Sequence, residues 1–278
     1  TNGGHFWMGG GATSSTLWNG LTVGDGTANS WSADTAPIHI NGSTITTGAG
    51  SIYLAGLSWN SGSTMGTRNI GVLISGGSSL STTSGNINID GTLRGRYTNG
   101  LGVHLGNVLS GSTTGNVSVS STTGSISIVG TGTDAANSGS GWRHAVSLFA
   151  KNAGEQVSVS STAGDITIDG RGQFTSAALA TNNSAGLLLM SNNSTAGVSV
   201  VSRSGAITLR GSNTLESSQY LNGLDFISSN AANAIRIGYD GTNSYSGNIL
   251  LESNSIVQRN QNAGTGSIAV QTTGNLTI

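Results

Sequence analysis

A seven-residue phrase returns along this chain at nearly constant intervals, and it limits the possible folds more than any other feature. It reads Gly, a mostly small polar residue, Ile or Leu, a second such residue, Ile or Leu, any residue, Gly. The copies are GSIYLAG from Gly50, GNINIDG from Gly85, GSISIVG from Gly124, GDITIDG from Gly164 and GAITLRG from Gly205. A looser GNILLES starts at Gly247, and GNLTI starts at Gly274. The first apolar residues are Ile52, Ile87, Ile126, Ile166, Ile207, Ile249 and Leu276, separated by 35, 39, 40, 41, 42 and 27 residues. One such unit cannot bury its apolar face alone, whereas stacked copies can, and this predicts a solenoid.

Composition tests whether the repeat can fold at all. The 278 residues hold 45 glycines, one proline and only 8% charged residues. Disordered chains are usually highly charged and poor in β-branched residues. Here the net charge is −1, and Ile and Val sit at regular alternating places, so they can be buried. Lys151 is the only lysine beside nine arginines. No basic patch of the kind that neutralises a run of phosphates is expected, so nucleic acid is not an expected partner. No cysteine is present, which a long solenoid tolerates because its core does not depend on disulfides. No apolar run reaches 18 residues, so no membrane-inserted helix is expected.

Two further alternating stretches accompany the phrase. One precedes it: VSVSS at Val117, VSVSS at Val157, VSVVS at Val198, IRIG at Ile235 and IAVQ at Ile268, with weaker forms around Ile45 and Leu80. The other follows it, around Val72–Ile74, Leu101–Leu105, Ala145–Phe149, Leu187–Met190 and Leu224–Ile227, with a weak copy at Ile256 and Val257. In chain order these are strands A, B (the phrase) and C. Period-two alternation marks half-buried strands, with alternate side chains on opposite faces. Ile126 and Ile128 then point inward and Ser125 and Ser127 outward, while Val157 and Val159 point inward and Ser158 outward. The short STTG or STAG turn from A to B is read as a turn in which glycine supplies a positive φ. The expected fold is all-β: a parallel β-helix with three short strands per coil and about seven coils.

The opening residues fit the same scheme. GHFWMGG from Gly4 matches strand B, with Phe6 and Met8 inward and Trp7 outward, and Ile38-His39-Ile40 matches strand C. The segment 13–36 then becomes a long B–C insertion carrying Trp18 and Trp31. The B–C loop after Gly130 holds Asp134, Trp142 and Arg143, and variable loops on one edge of a repeat commonly carry function. The pattern starts and stops on strand B with no polar capping unit. The expectation is a single β-helical segment over 1–278 that belongs to a longer solenoid or stacks head to tail on copies of itself.

The segments GGHFWMGGG, WNGLTVGDG (from Trp18) and GSIYLAG, with the recurring G-x-I-x-I-x-G phrases, resemble the repeats of large bacterial adhesins. These are the filamentous-haemagglutinin-like exoproteins of two-partner secretion systems. The resemblance covers nearly the whole chain. The family's secretion domain carries Asn-Pro motifs such as NPNL, and this chain has no Asn-Pro pair, so it resembles the repeat region. The resemblance implies a right-handed β-helix, an extracellular or cell-surface location and adhesive or scaffolding work on surface glycans or proteins of a host or neighbouring cell.

Asp169, Arg210 and Glu252 occupy one position of strand B on successive coils, about 4.8 Å apart, which makes a surface ion ladder or a charged pocket. Asp165 and Asp169 lie at opposite ends of one strand, roughly 13 Å apart by strand rise, too far for either glycosidase geometry. His5, His39, His104 and His144 show no metal-ligand spacing, with His104 outward on strand C. No calcium-binding nonapeptide repeats. No catalytic, cofactor or metal residue is expected. Outward Ser118, Ser158 and Ser199, with Ser127, Thr167, Thr208 and Thr277, form a polar wall broken by Asn88, Leu250 and Arg236. Trp7, Tyr53, Trp18, Trp31 and Trp142 are the candidate surface contacts, because exposed aromatics stack on sugars or bury in a partner.

Overall fold

The computed structural model describes residues 3–9, 17–18, 21–22, 28–29, 36–58, 66–94, 97–107, 114–133, 142–174, 184–214, 221–228, 234–260 and 266–278. Among them every regular element is a strand. Three parallel sheets form the walls of a β-helix, and each coil contributes one strand to each wall. Sheet B stacks Phe6–Met8, Ile52–Leu57, Ile87–Leu93, Ile126–Thr133, Ile166–Gln173, Ile207–Asn213, Ile249–Ser253 and Leu276–Thr277. Sheet C stacks Ile38–Asn41, Gly66–Ser75, Tyr97–Gly106, Arg143–Ala150, Ser184–Ser191, Leu221–Ser228 and Ile256–Asn260. Sheet A stacks Thr44–Thr46, Ser79–Thr82, Val117–Ser121, Gln156–Ser161, Gly197–Ser202, Ile235–Ile237 and Ile268–Val270.

The register follows the repeated phrase. Ile52, Ile87, Ile126, Ile166, Ile207 and Ile249 pair coil to coil in one ladder. Each is at most 1% exposed. Val119, Val159 and Val200 do the same from sheet A, and Val103, Val146 and Leu187 from sheet C. All of these belong to one continuous core. Its burial, at roughly 25 cal/mol per Å² of apolar surface, is the main force holding the coils in register.

The A–B turn works differently from the sequence expectation. Positive φ occurs at Gly42, Gly76, Gly77, Gly106 and Gly154, which all lie at the C–A corner, at Gly3, and at Gly48, Gly238 and Gly241 in the first and the enlarged A–B connections. The repeated turn glycines Gly85, Gly124, Gly164 and Gly205 are absent from that set. A Cβ on any of them would collide with the carbonyl of the glycine one coil below, namely Gly50, Gly85, Gly124 and Gly164 in turn. Close approach of stacked backbones, and not backbone handedness, demands glycine there.

The hydroxyl that opens each turn is also structural. Thr82, Ser121, Ser161 and Ser202 are at most 6% exposed. The amides of Gly124, Gly164 and Gly205 donate to Ser121, Ser161 and Ser202 Oγ at 2.9, 2.8 and 3.0 Å. Thr82 Oγ1 donates to the Gly85 carbonyl at 2.6 Å. The hydroxyl that opens each turn is thus buried and satisfies the buried turn backbone.

The segment 13–36 contributes an antiparallel pair, Leu17–Trp18 with Leu21–Thr22, and a short strand Ala28–Asn29 beside Gly56 and Leu57 of sheet B. Ala28 packs against the core. Trp31 and Asp134 lie outside the described residues, and for Trp18 the backbone alone is described.

Candidate functional site

The three walls present three different outer faces. On sheet B, Trp7 and Tyr53 are direct neighbours, followed by Asn88, Ser127, Thr167, Thr208, Leu250 and Thr277 in one row. Both aromatics are half-buried. The next row holds Ala55, Asp90, Val129, Asp169, Arg210 and Glu252 in the expected register.

The ion pairing in that row is partly different from expectation. Asp169 pairs with Arg171 on its own strand, through Nε at 2.9 Å and Nη2 at 2.6 Å, and not with Arg210. A side chain two positions along the same strand lies on the same face. Arg210 pairs instead with Glu252 on the next coil, at 2.6 Å. Both sides of the Arg210–Glu252 pair are well exposed, so it contributes about 0–1 kcal/mol. Burial pushes the Asp90 carboxyl above its usual range, and Arg171 two coils away pulls the other way. The row is an ion ladder along a shallow groove.

Sheet C departs most from a simple in–out alternation. His104 lies on its outer face as expected, but it is 1% exposed, so the position is outward without being solvent-facing. Its row runs His39, Leu73, His104, Ser147, Leu188, Asp225 and Val257; the five from Leu73 to Asp225 are buried, while His39 is exposed and Val257 half-buried at the two ends. A parallel row runs Phe149, Met190, Ile227 and Arg259. His144 is fully buried, and its Nδ1 accepts the Ala185 amide at 3.1 Å, which places the ring proton on Nε2. Burial holds both imidazoles far below the usual histidine range, to about 3, with their mutual repulsion and Arg259 adding to the effect at His144.

Trp142 is half-buried and packs its ring against His144 and Phe149, with centroids 6.1 and 6.0 Å apart. Its own chain already engages it. Asp225 is fully buried, accepts Asn222 Nδ2 at 3.2 Å and pairs with Arg259. At the C–A corner the buried Glu155 accepts the Lys151 and Asn152 amides at 3.0 and 2.8 Å and also holds Asn107 of the preceding coil. The sequence does not reveal the partners of either carboxylate, because each is a lone acid whose partners lie on other coils or in a turn.

The outer face of sheet A is open. Thr46, Ser81, Ser120 and Ser160 form one row in register, and Val201 continues it. Beside them run the turn residues Thr83, Thr122 and Thr162. One A–B connection is enlarged. Four residues, 122–125, join Val117–Ser121 to Ile126–Thr133, whereas eleven, 238–248, join Ile235–Ile237 to Ile249–Ser253. The inserted loop stands against the corner and closes a groove of about 550 Å³ lined by the hydroxyl rows, Arg203, Asp240 and Tyr245.

The loop is tied down. The Tyr245 amide donates to the Gly238 carbonyl at 3.1 Å, and the Thr273 amide donates to Tyr245 O at 2.9 Å. The Thr242 and Asn243 amides donate to Asp240 Oδ1 at 2.8 Å each, and the Tyr245 hydroxyl donates to its Oδ2. These bonds, the phenol's first, hold the Asp240 carboxyl well below its usual range. The Arg203 guanidinium lies 5.7 Å over the Tyr245 ring, a cation–π contact. The signal for this site is in the sequence as GYDGTNSYSG, standing where the other coils have four or five connecting residues.

No family model, curated protein or solved structure matches the chain.

Proposed function

We propose that this chain is a non-catalytic segment of an extracellular adhesin or stalk, attaching to a cell surface or serving as a scaffold. The observation that carries the reading is the groove on sheet A. It is an open, concave surface of hydroxyls repeated in register over successive coils, with aromatic and charged groups at one end. Such a surface suits attachment. The resemblance of the G-x-I-x-I-x-G phrases to filamentous-haemagglutinin-like repeats supports the location and the bacterial origin. On sheet B the strongest charges are engaged in ion pairs, which suits a surface ladder better than a general acid and base awaiting substrate.

The test is direct. Beads coated with the folded chain should bind cell surfaces or surface glycans, and beads coated with denatured chain should not. Incubation with pectin, alginate, chitin and glucans should give no cleavage. Turnover that disappears on changing Asp165, Asp169 or Asp225 would replace this reading with a polysaccharide-active enzyme.

A further inference from the structure

The groove on sheet A has a specific length, polarity and closed end, and together these select a ligand. Its floor carries hydroxyls at one register position on successive coils, Thr46, Ser81, Ser120 and Ser160, so donors and acceptors recur about every 4.8 Å along the axis. A serine or threonine hydroxyl both donates and accepts, as a sugar hydroxyl does. An extended hexose chain repeats at nearly the same interval as the coils. The lining holds one cation, Arg203, and one anion, Asp240, so it does not select for charge.

The closed end adds a different chemistry. Tyr245 presents a half-buried ring, and an aromatic ring is the common partner of a sugar's apolar face. Asp240 is kept ionised by its three donors and is therefore fixed in place as an acceptor. Arg203, stacked on Tyr245, supplies several donors in a planar fork. The loop that carries Asp240 and Tyr245 up to Arg203 of the preceding coil is an insertion on one coil only among the described A–B turns, the usual place for function in a solenoid.

We infer that this groove binds an extended, uncharged polysaccharide chain lying along the solenoid axis, its hydroxyls on the Ser/Thr rows and one ring at Arg203, Tyr245 and Asp240. The inference rests on the reading of the chain as a surface-binding segment and names what that surface holds.

The test uses the full chain and uncharged β-1,4- and β-1,3-linked gluco- and xylo-oligosaccharides of increasing length, with oligogalacturonate as the anionic comparison. Binding is read by amide chemical-shift perturbation and calorimetry. Affinity should rise with length until the oligosaccharide spans the hydroxyl rows, and the shifted amides should lie in sheet A and the loop 238–248. The double variant S120V/S160V should weaken binding about tenfold or more, because two hydrogen-bonding groups are lost. Valine already occupies this row at Val201, so the fold should accept it. Asp240→Ala, on the exposed loop, should weaken binding independently.

Unchanged affinity in both variants, shifts confined to another sheet, preference for the anionic chain, or no binding to any probe would each overturn the inference. In any of these cases the bead assay decides separately whether the chain still attaches to surfaces. Persistent attachment by S120V/S160V beads would leave the adhesive reading standing and remove the groove from it.

Discussion

Sheets A and C line the same core with the same kinds of residue, yet their outer faces are opposites. The outward side chains of sheet A, such as Ser120, Ser158 and Ser160, are partly exposed hydroxyls, with Val201 the buried exception in the row. The outward side chains of sheet C, such as His104, Ser147, Leu188 and Asp225, are buried. The difference is written in the strands themselves. VSVSS alternates strictly, as a strand with one wet face must, whereas RHAVSLFA and SAGLLLMS run apolar through both parities, as strands covered on both faces do. Sheet A is therefore a wall with partly exposed hydroxyls, whereas the middle coils of sheet C are covered on their outer face, where Phe149, Leu188, Met190 and Ile227 form a second, smaller apolar cluster.

This contrast makes quantitative predictions. The largest effect is expected in the two apolar layers. Truncating Ile166 to Ala in the main core should cost about 2–5 kcal/mol, because the close-packed ladder leaves a cavity. Leu188→Ala, on the outer face of sheet C, should cost a similar amount, about 2–5 kcal/mol. Urea unfolding measures both, and a Leu188→Ala cost under about 1 kcal/mol would mean that this face is not truly covered.

A somewhat smaller loss is expected from Asp225→Ala. It leaves Arg259 without its carboxylate, and the expected cost is about 3 kcal/mol, the low end for a broken buried pair, since Arg259 keeps some contact with water. Equal melting curves for the variant and the parent would show that the pair does not hold the sheet C face.

The next effect depends on pH. Burial lowers the folded-state pKa of His104 and His144 to about 3, below the ordinary value near 6.5. The folded chain therefore binds fewer protons than the unfolded chain between those values. Their contribution to stability is intact above about pH 6.5 and is lost as pH falls toward 3, with a slope of up to about 1.4 kcal/mol per pH unit for each imidazole. Urea midpoints at neutral and mildly acidic pH should show this decline. His104→Leu with His144→Leu should flatten it, since leucine already stands one coil below each position, at Leu73 and Leu101. An unchanged slope in that double variant would place the acid sensitivity elsewhere.

The smallest effect belongs to the open wall. Ser158→Ala should change stability by no more than about 0.5 kcal/mol, as for most surface substitutions. A larger loss would mean that sheet A is covered like sheet C.

Much of this was legible in the sequence. The phrase from Gly85, Gly124, Gly164 and Gly205 identified sheet B and its register, because identical apolar pairs can stack in only one alignment without exposing themselves. The VSVSS copies located sheet A for the same reason. What remained hidden depended on neighbouring coils. The turn glycines were read as a matter of φ because a single sequence does not reveal that Gly124 lies against the Gly85 carbonyl. The burial of His104 and His144 escapes an alternating reading of strand C, whose letters run apolar through both faces. Arg203 and Tyr245 are 42 residues apart and meet only when one coil stacks on the next. The candidate site is therefore less legible than the fold: the sequence singles out the neighbouring row of Ser118, Ser158 and Ser199, and neither the groove's own row of Thr46, Ser81, Ser120 and Ser160 nor the loop at its end.

The central claim is that one solenoid carries an open outer wall on sheet A and a covered one on sheet C. Because the chain contains no cysteine, single-cysteine variants test it cleanly. Ser158→Cys and Ser147→Cys place a thiol at outward positions of the two sheets, and alkylation rates in native buffer can be compared with those in urea. The thiol at 158, partly exposed on the wall, should react readily in the native chain, while the thiol at 147 should be protected until the chain unfolds. Equal native rates at the two positions would contradict the account.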